Sequence, residues 1–143
     1  MCLITEQKQP LIAEEDIIVY KAMESRLRSY FQRFQYTLNE LFETKIKPIN
    51  SNYSWVCCCR IDRDYLYEKY NVHSIESLES NPDLICLEKG FSSCESQELA
   101  QKLLNTDYGG CVYECTIPKG SEYHKDGVGF IISNKIIINR KIE

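Results

Sequence analysis

The last third of the chain is rich in apolar, β-branched and aromatic residues. Residues 111–117, 128–132 and 135–141 read as strands. Pro118-Lys119-Gly120 punctuates the first pair, and Asp126-Gly127 is a hairpin signal ahead of the second. Near the other end, Asp16-Ile17-Ile18-Val19-Tyr20-Lys21 is β-branched and aromatic, which predicts a further strand. After it the apolar spacing changes. Met23, Leu27, Tyr30, Phe31 and Phe34 are spaced by three and four, as on one face of a helix. Phe34, Tyr36 and Leu38 also alternate, which predicts a strand, a turn at Asn39-Glu40 and a second strand over 41–46; both readings stand at this point.

Residues 53–59 read as a strand. Asp62 is placed to cap a short helix reaching Tyr70, with Ile61, Tyr65 and Leu66 on its apolar side. Ser74 starts another helical turn with Ile75 and Leu78, and Asn81-Pro82-Asp83 breaks it. Residues 84–91 read as a strand. Ser92-x-x-Glu95 has capping-box form, with Ser96 as a competing cap, ahead of an amphipathic helix carrying Leu99, Ala100, Leu103 and Leu104. Tyr108-Gly109-Gly110 is a turn. Residues 1–15 are polar around Pro10 and read as a surface lead-in segment. Strands and helices first and strands last predict an α+β fold with a mostly antiparallel sheet, in a single domain over residues 1–143.

Composition narrows the function classes. Hydrophobic residues make 43% and charged residues 27% of 143 residues, enough to bury a core. The net charge is −4, so the phosphate backbone of a nucleic acid is a poor default partner. No apolar run approaches the roughly 20 residues that cross a bilayer. Residues 1–16 carry no basic stretch followed by an apolar one, which predicts a cytoplasmic protein without membrane association. Eight cysteines then fall in a reducing compartment. No pair has zinc-knuckle spacing, and His73 and His124 stand apart from any Cys pair, so no metal is expected. Cys57, Cys59, Cys86, Cys111 and Cys115 lie on expected strands and should be buried, reduced and unbridged.

Three segments carry candidate chemistry together: Val19-Tyr20-Lys21, Lys89-Gly90-Phe91-Ser92-Ser93-Cys94, and Thr116-Ile117-Pro118-Lys119-Gly120 followed by Ser133-Asn134-Lys135 and aliphatic residues. In this order they resemble the ADP-ribosyltransferase fold, where a first strand ends in Tyr-Arg, a Gly-Phe-Ser-Thr-Ser segment opens a helix, and a Pro-Lys-Gly turn leads to a strand beginning Glu-x-Glu. Met1-Cys2-Leu3, residues 16–21, Gly90-Phe91 and residues 117–120 also resemble a group of small proteins of phages and Bacteroides-type gut bacteria. The resemblance covers about half the chain and leaves residues 55–83 unmatched.

That resemblance implies a cleft for a nucleotide-like ligand such as NAD or ADP-ribose, with Lys21, Tyr36, Ser92, Ser93 and Lys119 as its binding residues. It also implies lost catalysis. A ribosyl transition state develops positive charge that a carboxylate must face. Ser133 and Lys135 stand where the family's glutamates would be, and Lys135 repels such a cation. Glu122 is the nearest stand-in, and an active enzyme using an atypical carboxylate is the competing expectation. The resemblance further implies an accessory protein that binds a nucleotide-like molecule or a host protein, in the manner of phage counter-defence, with no bound cofactor. Two other features point elsewhere. Cys2 would become an N-terminal nucleophile if Met1 were removed, and the tyrosines dense over residues 30–70 suit a protein-binding surface.

Overall fold

A computed structural model of the chain describes residues 3–30, 34–48, 55, 59–104 and 110–142. The chain is α+β. Its strands are β1 (Leu3–Thr5), β2 (Leu11–Ile12), β3 (Ile17–Met23), β4 (Leu41–Glu43), β5 (Lys47–Pro48), β6 (Ile85–Glu88), β7 (Phe91–Cys94), β8 (Cys111–Ile117), β9 (Glu122–Lys125), β10 (Phe130–Ser133) and β11 (Lys135–Lys141). Its described helices are α1 (Arg60–Tyr70), α2 (Ile75–Glu79) and α3 (Gln97–Leu103). The strands form two antiparallel sheets, one of order β2-β9-β10-β7-β3-β8-β11-β4 and a smaller one of order β1-β6-β5.

Alternation decides the faces of both sheets. On one face of the large sheet, Val19, Met23, Cys115, Ile117, Ile136 and Ile138 bury together with Tyr36 and Phe91. On the other, Phe130, Ile132, Cys94 and Val112 pack against α3 through Leu99 and Ala100, and against Leu3 and Leu87 of the small sheet. Ile4, one residue along from Leu3, points the opposite way and joins Leu66, Leu78 and Leu84 under α1 and α2. The small sheet is thus a middle layer between the large sheet and two helices.

Several expectations are corrected. The lead-in segment is not all surface: Leu3, Ile4 and Thr5 are buried, and β1 pairs in register with β6. Three apolar or small side chains next to an open strand edge outweigh the polar residues that follow. The helix expected from Met23 does not form over the described residues. β3 runs through Met23, and a tight reversal follows, with Leu27 at φ 63° and bridges from Arg28 to Glu24 and Gln35. The spacing of Met23 and Leu27 reflects two anchors of a folded-back loop, not a helical face. The second strand of that region stops at Glu43. The expected strand over 53–59 falls mostly outside the described residues, and Cys59 is the N-cap of α1, so Asp62 sits in the first turn and not at the cap.

The strand expected over 84–91 is two. Lys89 adopts φ 50°, and the chain passes from the small sheet to the large one at Gly90. A Cβ at Gly90 would overlap Ile132 and lie 3.2 Å from the Ser133 carbonyl, so the crossing requires glycine. Ser92 therefore opens no helix. Ser92 and Ser93 pair with Ile132 and Ile131, and Ser96 caps α3 by accepting from the Leu99 N–H at 3.1 Å. β11 matches the expected 135–141 strand, and β9 and β10 form the hairpin around Asp126-Gly127.

Candidate functional site

β3 is laddered to β8 over seven residues, but its pairing with β7 is confined to Tyr20 opposite Cys94. Beyond that pair the two strands part. The gap opens into a cavity of about 710 Å³. Its wall includes Lys21 of β3, Ser92, Ser93 and Cys94 of β7, and the aromatic rings of Phe34, Tyr36 and Phe91. The start of α1 (Arg60, Ile61), the end of α3 (Lys102, Leu103), the β4 terminus (Glu43, Thr44) and Lys89 also line the cavity.

Lys21 is the unusual residue. It lies two residues from Val19 and two from Met23, on the apolar face of the large sheet, and its side chain is buried. Its Nζ donates to the Ser92 carbonyl at 2.6 Å and to Ser92 Oγ at 2.9 Å. The Tyr36 ring lies 5.6 Å away, a cation–π distance. Among the described residues no carboxylate pairs with it. Burial pushes its ammonium down to about 8 from the usual lysine range, against the smaller opposing pull of Cys115 and Cys94. Burial likewise holds the Tyr36 phenol well above its usual range.

The Tyr20–Cys94 register places Ser93 opposite Lys21, on the same face. Ser93 is 3% exposed and its hydroxyl is buried without a hydrogen-bond partner. Buried hydroxyls are nearly always partnered, so an unpartnered one on a cavity wall marks a place where a ligand atom fits. Phe34 is 41% exposed although it stacks edge-on with Tyr36 at 4.8 Å, leaving an aromatic surface open beside the polar strand ends.

The structure thus brings together four of the five residues named from the sequence: Lys21, Tyr36, Ser92 and Ser93. Lys119 stands apart. Its turn is exposed and its N–H donates to Asp16 Oδ1 at 2.8 Å, at the far end of β3. Ser133 is fully buried and donates to the Lys135 carbonyl at 3.0 Å. Lys135 lies 3.9 Å from Glu43 across the β11–β4 ladder. Glu122 is exposed at the start of β9 and is not on the wall. Sequence reading assigned no binding role to Glu43, Arg60 or Lys102, nor to Lys89 within the serine segment. All four are exposed, and nothing in their local spacing separates them from ordinary surface charges.

Thiols line the same region. Burial pushes Cys94 and Cys115 up to about 12, and Cys59, which lies 3.7 Å from Asp62 Oδ2, up to about 11. None of the described cysteines is in a disulfide. These thiols are poor nucleophiles at neutral pH. Alkylation of the folded protein at pH 7.5 should therefore spare Cys94 and Cys115 longest, and half-buried Cys86 and Cys111 should react sooner. Equal labelling of all four in a peptide map would contradict this burial. Among the described residues no cluster of three His, Cys, Asp or Glu side chains could hold a metal ion, and no helix is long and apolar enough to cross a membrane. No family model, curated protein or solved structure matches the chain.

Proposed function

We propose that the chain is a small binding protein whose split-sheet cavity takes an anionic, nucleotide-like ligand. The observation that carries this reading is Lys21, a buried amine with no carboxylate partner among the described residues, on the wall of an open cavity. Burying a cation alone is costly. An anion entering the cavity would supply the missing counter-charge. The rest of the wall supports the same chemistry. Arg60, Lys89 and Lys102 add cations against Glu43, the one carboxylate among the described wall residues, in a chain whose net charge is −4. Phe34 offers an exposed aromatic face on which a base can stack.

An ADP-ribosyltransferase-like arrangement is part of this proposal, since the family's strand-end cation and serine segment correspond to Lys21 and Ser92-Ser93 at the parting of β3 and β7. The reaction is not. Ser133 and Lys135 occupy the positions of the family's glutamates. A second reading rests on Glu43, which is on the cavity wall one strand away, opposite Lys135. It would serve an active enzyme with a displaced carboxylate. The resemblance to phage and gut-bacterial proteins extends the first reading to an accessory role against a host nucleotide signal.

Calorimetric titration with NAD and ADP-ribose tests the proposal, with nicotinamide release followed in parallel. Binding without release is expected, and affinity should fall as salt rises. Lys21→Ala should weaken binding by about 1.5–3 kcal/mol, the range for a hydrogen bond to a charged group. No heat at millimolar ligand would overturn the nucleotide reading and favour a protein partner. Release that disappears in Glu43→Gln would establish the enzyme instead.

A further inference from the structure

We propose that Lys21 is a reactive amine that captures an anionic aldehyde or ketone in the cavity as an imine. This goes beyond simple anion binding, although it rests on the same cavity.

The hydrogen bonds at Nζ make the case. A neutral amine has two N–H groups and one lone pair. Among the described residues Lys21 makes two hydrogen bonds, both as donor and both to Ser92, at 2.6 and 2.9 Å. In the neutral form, with both N–H groups so engaged, the remaining tetrahedral position is the lone pair. No described carboxylate stabilises a third proton there. The amine is held on the wall of a cavity of about 710 Å³, so a ligand can reach it. Burial lowers its proton affinity to about 8, which leaves a substantial neutral fraction near pH 7.5. Desolvation is one of the ways lysines become nucleophiles for carbonyl compounds. The titratable groups facing it, Tyr36, Cys94 and Cys115, are all kept neutral by their own burial.

The step balances without an oxidant. The lone pair attacks the carbonyl carbon and forms a C–N bond, while the carbonyl pair moves to oxygen. Protonation of that oxygen gives a carbinolamine. Loss of water then breaks the C–O bond and leaves the imine, so that amine plus carbonyl becomes imine plus water. The unpartnered Ser93 hydroxyl, on the same face and the same wall, is the donor available to the departing oxygen. Arg60, Lys89 and Lys102 on the wall select a substrate with an anionic group. Phe34 and Tyr36 favour a planar one.

Pyridoxal 5′-phosphate is a suitable probe, with uncharged pyridoxal as its control. Each is mixed with the full chain, reduced with borohydride and mapped by peptide mass spectrometry. The expected result is a reduced adduct on Lys21, at least about tenfold above any surface lysine. The phosphate form should label faster than pyridoxal. Lys21→Arg, which keeps donors for Ser92 but cannot form an imine, should lose the adduct while keeping its circular dichroism. Ser93→Ala should slow labelling while keeping its circular dichroism. Adducts spread over exposed lysines with Lys21 unmodified would overturn the proposal. So would equal labelling of Lys21→Arg. If that variant fails to fold, the wild-type map alone decides. Calorimetric binding of ADP-ribose without any Lys21 adduct would defeat the imine and leave the anion-binding reading standing, whereas silence in both assays would defeat both.

Discussion

Truncating Phe130 to alanine should cost about 3–5 kcal/mol, the range for removing a large aromatic side chain from a packed core. Phe130 is fully buried at the start of β10. It pairs across the ladder with Cys94 and packs in the cluster formed by Leu99, Ala100, Val112 and Ile132. Its backbone is fixed as well. The Phe130 N–H donates to Asp126 Oδ1 at 2.9 Å and its carbonyl accepts from the Asp126 N–H at 3.0 Å. With both backbone groups tied, the site cannot collapse onto the void, and the loss should fall in the upper part of that range. A domain has about 5–15 kcal/mol in total, so the variant should be markedly destabilised. Urea unfolding followed by tryptophan fluorescence and circular dichroism measures it. A loss below about 1.5 kcal/mol would mean that the layer between the large sheet and α3 repacks freely, against the close packing inferred here.

The same layer shows how far the sequence could be read. β8 and β11 were legible from their β-branched and aromatic residues; the structure buries Ile136 and Ile138 on one face, which a shift of one residue would expose. The division of the stretch from Leu84 to Cys94 between two sheets was not legible. It depends on Lys89 and Gly90 crossing beneath Ile132 and Ser133, a contact between residues more than forty positions apart. β1 was missed for a related reason. Three residues carry too little pattern, and their pairing partner lies more than eighty positions away. The fold-back after Met23 imitated a helix because two loop anchors happened to be four residues apart.

For the site, Lys21 was found through a motif but its meaning came from burial. The alternation Val19-x-Lys21-x-Met23 already puts a lysine on an apolar face, and that pattern could have been used directly. Ser92 and Ser93 were expected to open a helix, and they are instead strand residues whose strand parts from β3. The cations around the cavity come from three separate elements and share no sequence signal. Lys119 was carried by resemblance alone, and its turn lies at the other end of the sheet.

Replacing Asp62 with asparagine should make the protein less sensitive to alkaline conditions. Asp62 is 4% exposed in the first turn of α1. A helix N-terminus favours a carboxylate, but burial dominates here and pushes Asp62 up to about 9, with the nearby Asp126 carboxylate adding to the effect. Burial also raises Asp126, against the hydrogen bonds it receives from Asp62 and from the N–H groups of Val128, Gly129 and Phe130. Those three N–H groups all reach Oδ1. Asp126 Oδ2 is buried without a hydrogen-bond partner, and a proton held between the two neighbouring carboxyls would supply one. At neutral pH, therefore, Asp62 carries a proton in the folded state that it loses on unfolding, since a free aspartate titrates near 4. Between about pH 4 and pH 9 the folded chain binds one more proton than the unfolded chain at this site. Stability must then fall as pH rises, by up to about 1.4 kcal/mol per pH unit, and by at most about 4 kcal/mol between pH 5 and pH 8. Asparagine keeps a donor beside the Asp126 carboxylate and does not titrate. The gain of Asp62→Asn over wild type should be small at pH 5 and grow toward pH 8. Urea midpoints at the two pH values measure the difference. Parallel curves would show that Asp62 is ionised in the folded protein, and the bond from α1 to the β9–β10 hairpin would then have to be something other than a shared proton.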